Sequence, residues 1–198
     1  MSTRTLFFLG LLAATLSAHA GDTIAPPVGT QFVVSAVRDG ESTTYTNKLA
    51  EVDGLALRWL RNDETETRSI IPFCWACTAY RPDSRENVID EDEYRKLFPL
   101  EVGNKVSFTR WRPDRSRSWE HVIEVVGKET VTVPVGQFEA LKVVESVKGV
   151  ASEWWAERTY WYAPEVGYYV KGDLKQGGWD GVRWKHITFE TTKVIPPN

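Results

Sequence analysis

The central stretch of the chain, residues 128–171, most constrains what the chain can fold into. It holds two segments rich in β-branched and aromatic residues, each interrupted by a turn with a proline and a glycine. Pro134 and Gly136 mark the first turn, and Pro164 and Gly167 mark the second. Proline cannot donate to a strand ladder, and glycine accepts the backbone angles of tight turns. The stretch therefore predicts two hairpins at the core of an antiparallel sheet.

The flanking segments carry further strand signals. Apolar and polar residues alternate over residues 31–37, and the dipeptides Asp39-Gly40 and Asp53-Gly54 match the two-residue turns of β-hairpins. Strand patterns return at Lys105 and continue to Val194. We therefore predict a mainly β fold of about nine or ten strands, a single antiparallel meander sheet curled into an open or half-closed barrel.

Residues 62–104 interrupt this pattern with a polar insertion that holds both cysteines. Asp90 followed three residues later by Glu93 is a capping-box pattern, which predicts the start of a short helix. Pro99 ends the helical pattern. We expect this loop and helix insertion to cover the concave side of the sheet.

The N-terminus has the pattern of a secretory signal peptide. Arg4 precedes an apolar run over residues 6–16, and Ala18-His19-Ala20 resembles a cleavage site. An uncleaved anchor helix is the alternative, but the apolar run is short for a membrane span. The sequence thus predicts cleavage near Ala20, export to the periplasm or the extracellular medium, and one β domain over residues 21–198 without a transmembrane span.

Charge narrows the range of partners. The formal net charge of the chain is −3 at pH 7. Non-specific nucleic-acid binding needs a basic face, so the composition argues against a nucleic-acid partner.

Three motifs in order, residues 98–103, 126–138 and 160–167, resemble a pattern found in bacterial envelope β-proteins of unknown function. The resemblance runs from about residue 98 to residue 172. It implies a secreted antiparallel sheet that curls like the half-barrels of the lipoprotein carriers. It implies no catalytic residues, and it does not extend to the cysteine-bearing insertion.

The motif Cys74-Trp75-Ala76-Cys77 is open to three interpretations: a short disulfide, a redox dithiol, or half of a metal site. The βαβ context of thioredoxin-like redox motifs is missing, and Pro82 limits any helix that follows. His121 and His186 lack ligand-like spacing to the cysteines. We therefore favour a structural disulfide between Cys74 and Cys77, and we expect no metal and no cofactor.

Aromatic residues in the strand over residues 153–162 fall on both faces, as the two-residue period of a strand dictates. Such a strand is either covered on both sides or has one face that lines a cavity for an apolar ligand such as a lipid. The alternative is that these rings are core and cross-strand pairs. The ligand-binding candidates are Trp154, Trp155, Tyr160, Trp161 and Tyr162, together with Trp179 on a glycine-rich turn.

Four arginines surround a predicted hairpin tip between Trp111 and Trp119. Guanidinium groups bind phosphates and other anionic head groups through paired N–H donors. The alternative is a solvated turn whose charges keep a sheet edge soluble. The anion-contact candidates are Arg110, Arg112, Arg115 and Arg117.

Familiar catalytic motifs, including those of serine hydrolases, zinc proteases and phosphate-binding loops, are missing from the sequence. The favoured hypothesis is a non-enzymatic exported envelope protein that binds an apolar or amphipathic ligand. One rival is a thiol–disulfide protein that uses Cys74 and Cys77. Another is a structural or interaction module of an envelope complex, with the arginine-rich tip or Trp179 in contact with an envelope protein.

Overall fold

The computed structural model describes residues 25–62, 64, 68–74, 77, 89–112, 114–178 and 185–197, with the backbone alone at 68 and 69. The predicted signal peptide and Trp179 lie outside these residues and stay predictions.

One antiparallel sheet of ten strands dominates the fold. Its strands are β1 Gln31–Arg38, β2 Glu41–Asp53, β3 Ala56–Arg61, β4 Arg68–Ile70, β5 Lys105–Trp111, β6 Ser118–Val133, β7 Gly136–Gly149, β8 Trp155–Ala163, β9 Tyr168–Gly177 and β10 Lys185–Ile195. A single short helix, α1 (Glu91–Arg95), occurs among the described residues. The mainly β fold class is confirmed.

The strand order is β4-β3-β2-β1-β10-β9-β8-β7-β6-β5. Two meanders, β1–β4 and β5–β10, are therefore joined where the first strand pairs with the last. In the described part of the chain β4 and β5 do not pair with each other, so the sheet is not closed into a barrel.

The predicted hairpin turns follow the expected turn chemistry. Asp39 and Gly40 both adopt positive φ angles, 50° and 91°, between β1 and β2. Positive φ at both central residues belongs to the type I′ turn, whose twist matches that of the flanking strands.

One hydrophobic core covers the inner face of the sheet and includes residues of all nine longer strands. Ten flat strands would extend over roughly 43 Å at about 4.8 Å per strand, so a shared core requires the sheet to curl.

The insertion fills the space inside this curl. Phe73, Cys74, Cys77, Tyr94 and Leu97 are buried in the same core. The Asp90 side chain caps α1 by accepting from the backbone N–H of Glu93, as the capping pattern predicts. The hydroxyl of Tyr94 donates to the carbonyl of Pro72, which ties the helix to the segment before the cysteines.

A second, smaller cluster lies on the opposite face, where the β6–β7 hairpin packs against β8 and β9. Its buried members are Val131, Val133, Ala140, Ala163 and Val170. Neighbouring residues of a strand point to opposite faces, so Tyr160 joins the inner core while Trp161 packs beside the outer cluster. The sheet is covered on both faces at this end.

Among the residues that the structure describes, no helix combines the length and the apolar character needed to cross a membrane.

Candidate functional site

A buried polar network lies on the inner face of strands β5 to β8. It consists of Arg110, His121, Glu145 and Arg158, none of them more than 5% exposed. Each residue comes from a different strand, and Glu145 and Arg158 are direct cross-strand partners. Buried charges are tolerated when they are paired and hydrogen-bonded, so the contacts within this network determine what it does.

Glu145 is the centre of the network. Its Oε2 accepts from Nη1 of Arg158 at 2.8 Å, and its Oε1 lies 3.0 Å from Nδ1 of His121. The Nε of Arg110 donates to Nε2 of His121 at 3.2 Å. Arginine is always a donor, so Nε2 of His121 must accept, and the hydrogen of the neutral ring is on Nδ1, which donates to Glu145. The contacts thus select one tautomer of His121.

The network also sets the charge states of its members. Burial lowers the pKa of His121 below its ordinary value, although Glu145 opposes this effect. Burial raises the pKa of Glu145, but the charge of Arg158 and the hydrogen bond from His121 outweigh it, and the pKa is lowered. Burial lowers the pKa of Arg110 to about 10, which leaves it a cation at neutral pH. The network therefore combines a neutral histidine with one carboxylate and two guanidinium cations.

The cysteines lie beside this network. Cys74 and Cys77 are joined by a disulfide and are 0% and 2% exposed. Sγ of Cys74 lies 3.7 Å from Nδ1 of His121. Sequence spacing gave no reason to associate His121 with the cysteines. The sequence nevertheless indicates that His121 faces inward, because it alternates with Ile123 and Val125 along β6.

Ligand atoms of Cys74, Cys77 and His121 lie within 4.8 Å of one another, a donor set that suits a soft metal ion. Metal binding requires free thiolates and an imidazole lone pair. Here both sulfurs are in the disulfide, and Nδ1 of His121 carries the hydrogen donated to Glu145. The arrangement as it stands does not present these ligands to a metal.

Among the residues that the structure describes, the inner face offers little room for an apolar ligand. The cavity there measures about 50 Å³ and lies among aromatic side chains that include Trp59, Phe73, Tyr160, Tyr162 and Tyr169. Pockets for small molecules usually enclose about 300–1,000 Å³. Tyr160 and Tyr162 belong to the packed core around Phe73, whose ring meets theirs edge-on.

A larger cavity of about 800 Å³ opens at one end of the sheet. We call it the arginine–tryptophan cavity. It lies between the β5–β6 hairpin, the β7–β8 turn and the adjoining ends of β9 and β10. Its described lining is Arg110, Arg112, Ser116, Arg117, Ser118, Trp119, Ala151, Ser152, Glu153, Trp154, Gln176, Gly178 and Lys185.

Arg110 belongs both to this cavity and to the buried network. Its guanidinium carbon lies 3.8 Å from the ring centroid of Trp119, its cross-strand partner. Cation–π contact at this distance, together with the hydrogen bond to His121, restricts the guanidinium on two sides. Arg110 is therefore held in place before any ligand arrives.

The cavity brings together four of the sequence candidates: Arg110, Arg112, Arg117 and Trp154. The remaining described candidates lie elsewhere. Arg115 lies over the ring of Trp111 at 5.2 Å, and Trp155 is 36% exposed and outside the lining. Trp161 donates from Nε1 to Glu129 near the outer cluster.

Trp119 and Lys185 also line the cavity but were not among the sequence candidates. The hairpin pattern could have predicted the position of Trp119, since it pairs with Arg110 across β5 and β6. Lys185 comes from β10, and only the strand order brings it to this end of the sheet.

Comparison with known proteins gave no matching family model, and no curated protein matches the sequence. Several solved structures show a low similarity to this chain. One is a protein of Parabacteroides distasonis provisionally classed as a lipoprotein, with a TM-score of 0.45 and 13% identity over 88% of this chain and 99% of the other.

A provisionally classed exported protein with a YmcC-like fold from Bacteroides fragilis gives a TM-score of 0.44 and 13% identity over 86% and 97% of the two chains. The hypothetical lipoprotein YmcC of Escherichia coli gives a TM-score of 0.45 and 12% identity over 89% and 90%.

Proposed function

We propose that this chain is an exported, non-enzymatic binding protein that holds an amphipathic ligand in the arginine–tryptophan cavity. One observation carries the proposal: this cavity measures about 800 Å³, against about 50 Å³ on the inner face. Its volume falls in the range of small-molecule pockets.

The lining suits a ligand that has both an apolar part and a polar part. Trp119 and Trp154 offer large apolar surfaces, which account for much of the binding energy at ligand sites. Arg112, Arg117 and Lys185 add cationic groups in the same cavity. An apolar chain against the indole rings and a polar head among the cations would use both kinds of surface.

Burial of the His121–Glu145 pair supports a non-enzymatic role. The two side chains are fully enclosed and bonded to each other. Nε2 of His121 is already used by Arg110. A general base must reach a proton of the substrate, and this pair offers no free ring nitrogen for it.

The burial of Cys74 and Cys77 likewise supports a structural disulfide over the thiol–disulfide alternative, since exchange requires that a thiolate can reach a sulfur atom. Export by a signal peptide over residues 1–20 is part of the proposal. N-terminal sequencing of protein taken from the cell envelope should then begin at Gly21.

Binding of n-octyl sulfate, a single-chain amphiphile, tests the proposed function by isothermal titration calorimetry below its critical micelle concentration. We expect saturable one-to-one binding, weakened about tenfold by Trp154→Ala because a buried indole contact is lost. Trp155→Ala is the matched control, since Trp155 is the next residue and lies outside the cavity lining. Its affinity should equal that of the unmodified protein.

Absence of saturable binding would contradict the proposal. So would methyl sulfate binding as tightly as n-octyl sulfate, because the cavity would then be a simple anion site. Equal losses of affinity in both tryptophan variants would show that the ligand does not bind in the cavity.

A further inference from the structure

We infer that the arginine–tryptophan cavity selects amphiphiles with an oxyanionic head, such as a phosphodiester or a sulfate. We further infer that the buried pair of Glu145 and His121 positions Arg110 for that head. This inference rests on the proposed function and specifies the ligand of the same site.

The charge of the lining is the first step. Among the described lining residues, four are cationic, Arg110, Arg112, Arg117 and Lys185, and one, Glu153, is acidic. Hydrogen bonds between guanidinium groups and oxyanions are roughly twice as strong as neutral ones, and paired N–H donors add geometric selectivity. The lining therefore favours an anion over a neutral or cationic head.

Arg110 is buried and held on two sides. It is 5% exposed, its Nε donates to His121, and its guanidinium stacks on Trp119. Exposed arginines lose rotamer freedom when they bind an anion, whereas a guanidinium already fixed loses little. We therefore assign Arg110 the largest share of the selectivity for the head group.

The support of Arg110 depends on the protonation state of His121. Nε2 accepts from Arg110 only while the ring is neutral, with its hydrogen on Nδ1 directed at Glu145. Arg158 holds the other oxygen of Glu145, which keeps that carboxylate in position. Glu145 and Arg158 thus act on the cavity through His121 and Arg110, without contact with the ligand.

The same geometry predicts an unusual pH dependence. The charged groups that face His121 are Arg110 on β5, Glu145 on β7 and Arg158 on β8, and the disulfide-bonded Cys74 beside it does not titrate. Protonation gives His121 a hydrogen on both nitrogens, so Nε2 no longer accepts from Arg110. Selectivity for the anionic head should then fall as the pH falls through the lowered pKa of His121. Ordinary long-range electrostatics predict the reverse, since acid makes a protein more cationic.

The test compares n-octyl sulfate, whose charge is constant with pH, with the neutral n-octyl glucoside. Dissociation constants are measured by calorimetry from about pH 7.5 down to the lowest pH at which near-UV circular dichroism stays native. We expect a preference for the sulfate of about tenfold or more at neutral pH, which decreases on acidification.

Two variants separate positioning from general stability. In His121→Gln the amide oxygen can accept from Arg110 and the amide nitrogen can donate to Glu145, without titration. It should keep the preference at neutral pH within about twofold and lose its decrease in acid. His121→Phe lacks the acceptor and should bring the preference close to one while n-octyl glucoside still binds. His186→Gln, at a histidine outside the network, is the control and should match the unmodified protein.

Each outcome decides one question. Equal affinity for the two amphiphiles would overturn this inference and leave the proposed function standing. Failure of both to bind would overturn the proposed function itself. A preference for the sulfate that rises on acidification, or that falls equally in His121→Gln, would show that protonation of His121 does not control the position of Arg110. If His121→Phe does not fold, the profile of His121→Gln still decides.

Discussion

Glu145→Ala is expected to lower the free energy of unfolding by about 3–5 kcal/mol, because it leaves buried charge without its partner. Arg158 loses the carboxylate that it contacts at 2.8 Å, and His121 loses the acceptor of its Nδ1 hydrogen. The vacated volume adds a cavity next to His121. Urea denaturation followed by tryptophan fluorescence measures the change.

Glu157→Ala is the matched control. Glu157 belongs to β8, the strand that pairs with β7, but its side chain is exposed on the opposite face. Exposed substitutions of this kind usually change stability by less than about 0.5 kcal/mol. A loss below about 1 kcal/mol for Glu145→Ala would contradict the account, because Arg158 would then have another way to satisfy its charge.

Acidification is expected to destabilise the protein in two steps. The pKa of His121 is lowered in the folded state, so its contribution is present above the unfolded value near 6.5 and is lost as the pH falls through the folded pKa. The pKa of Glu145 is also lowered, so its contribution is lost at more acidic pH, below the unfolded value near 4.3. Both losses have the same sign.

The free energy of unfolding, measured by denaturant titration between about pH 7.5 and pH 3.5, should therefore fall as the pH falls. His121→Gln should remove the first step and keep the second, because glutamine does not titrate while Glu145 and Arg158 remain paired. Stability that is constant between pH 7 and pH 5 in the unmodified protein would show that folding does not shift the pKa of His121.

Local patterns predicted most of the sheet. Alternation and turn residues predicted the hairpins on either side of Pro134 and Pro164, and Asp39-Gly40 forms the expected turn. The pairing of β1 with β10 was missed, because it joins residues 149 to 164 positions apart and no local pattern specifies it. That pairing turns the predicted single meander into two joined meanders.

Only part of the buried polar network could be predicted from the sequence. Glu145 lies between Val143 and Val147 at two-residue spacing, which places a carboxylate on an apolar face. Such a position calls for a cationic partner, and Arg158 alternates inward in the next strand in the same way. The distances that join them depend on strand register, which alternation alone does not specify.

The sequence predicted some residues of the site but did not predict that they line one cavity. The arginine-rich tip and Trp154 were both candidates, but as separate surfaces. Their meeting with Lys185 in one cavity follows from the strand order at that end of the sheet. The expected cavity on the inner face depended on how far the insertion fills the curl, and side chains such as Phe73 and Tyr94 occupy that space.

The location of the ligand is the central claim, and photo-crosslinking tests it most directly. The probe is an n-octyl sulfate analogue with a diazirine at the end of its chain, and mass spectrometry identifies the labelled peptides. We expect labelling of cavity-lining residues such as Trp119 and Trp154, and its suppression by excess n-octyl sulfate. Suppressible labelling confined to the inner-face residues around Tyr160 and Tyr169, or labelling that excess n-octyl sulfate does not suppress, would contradict the account.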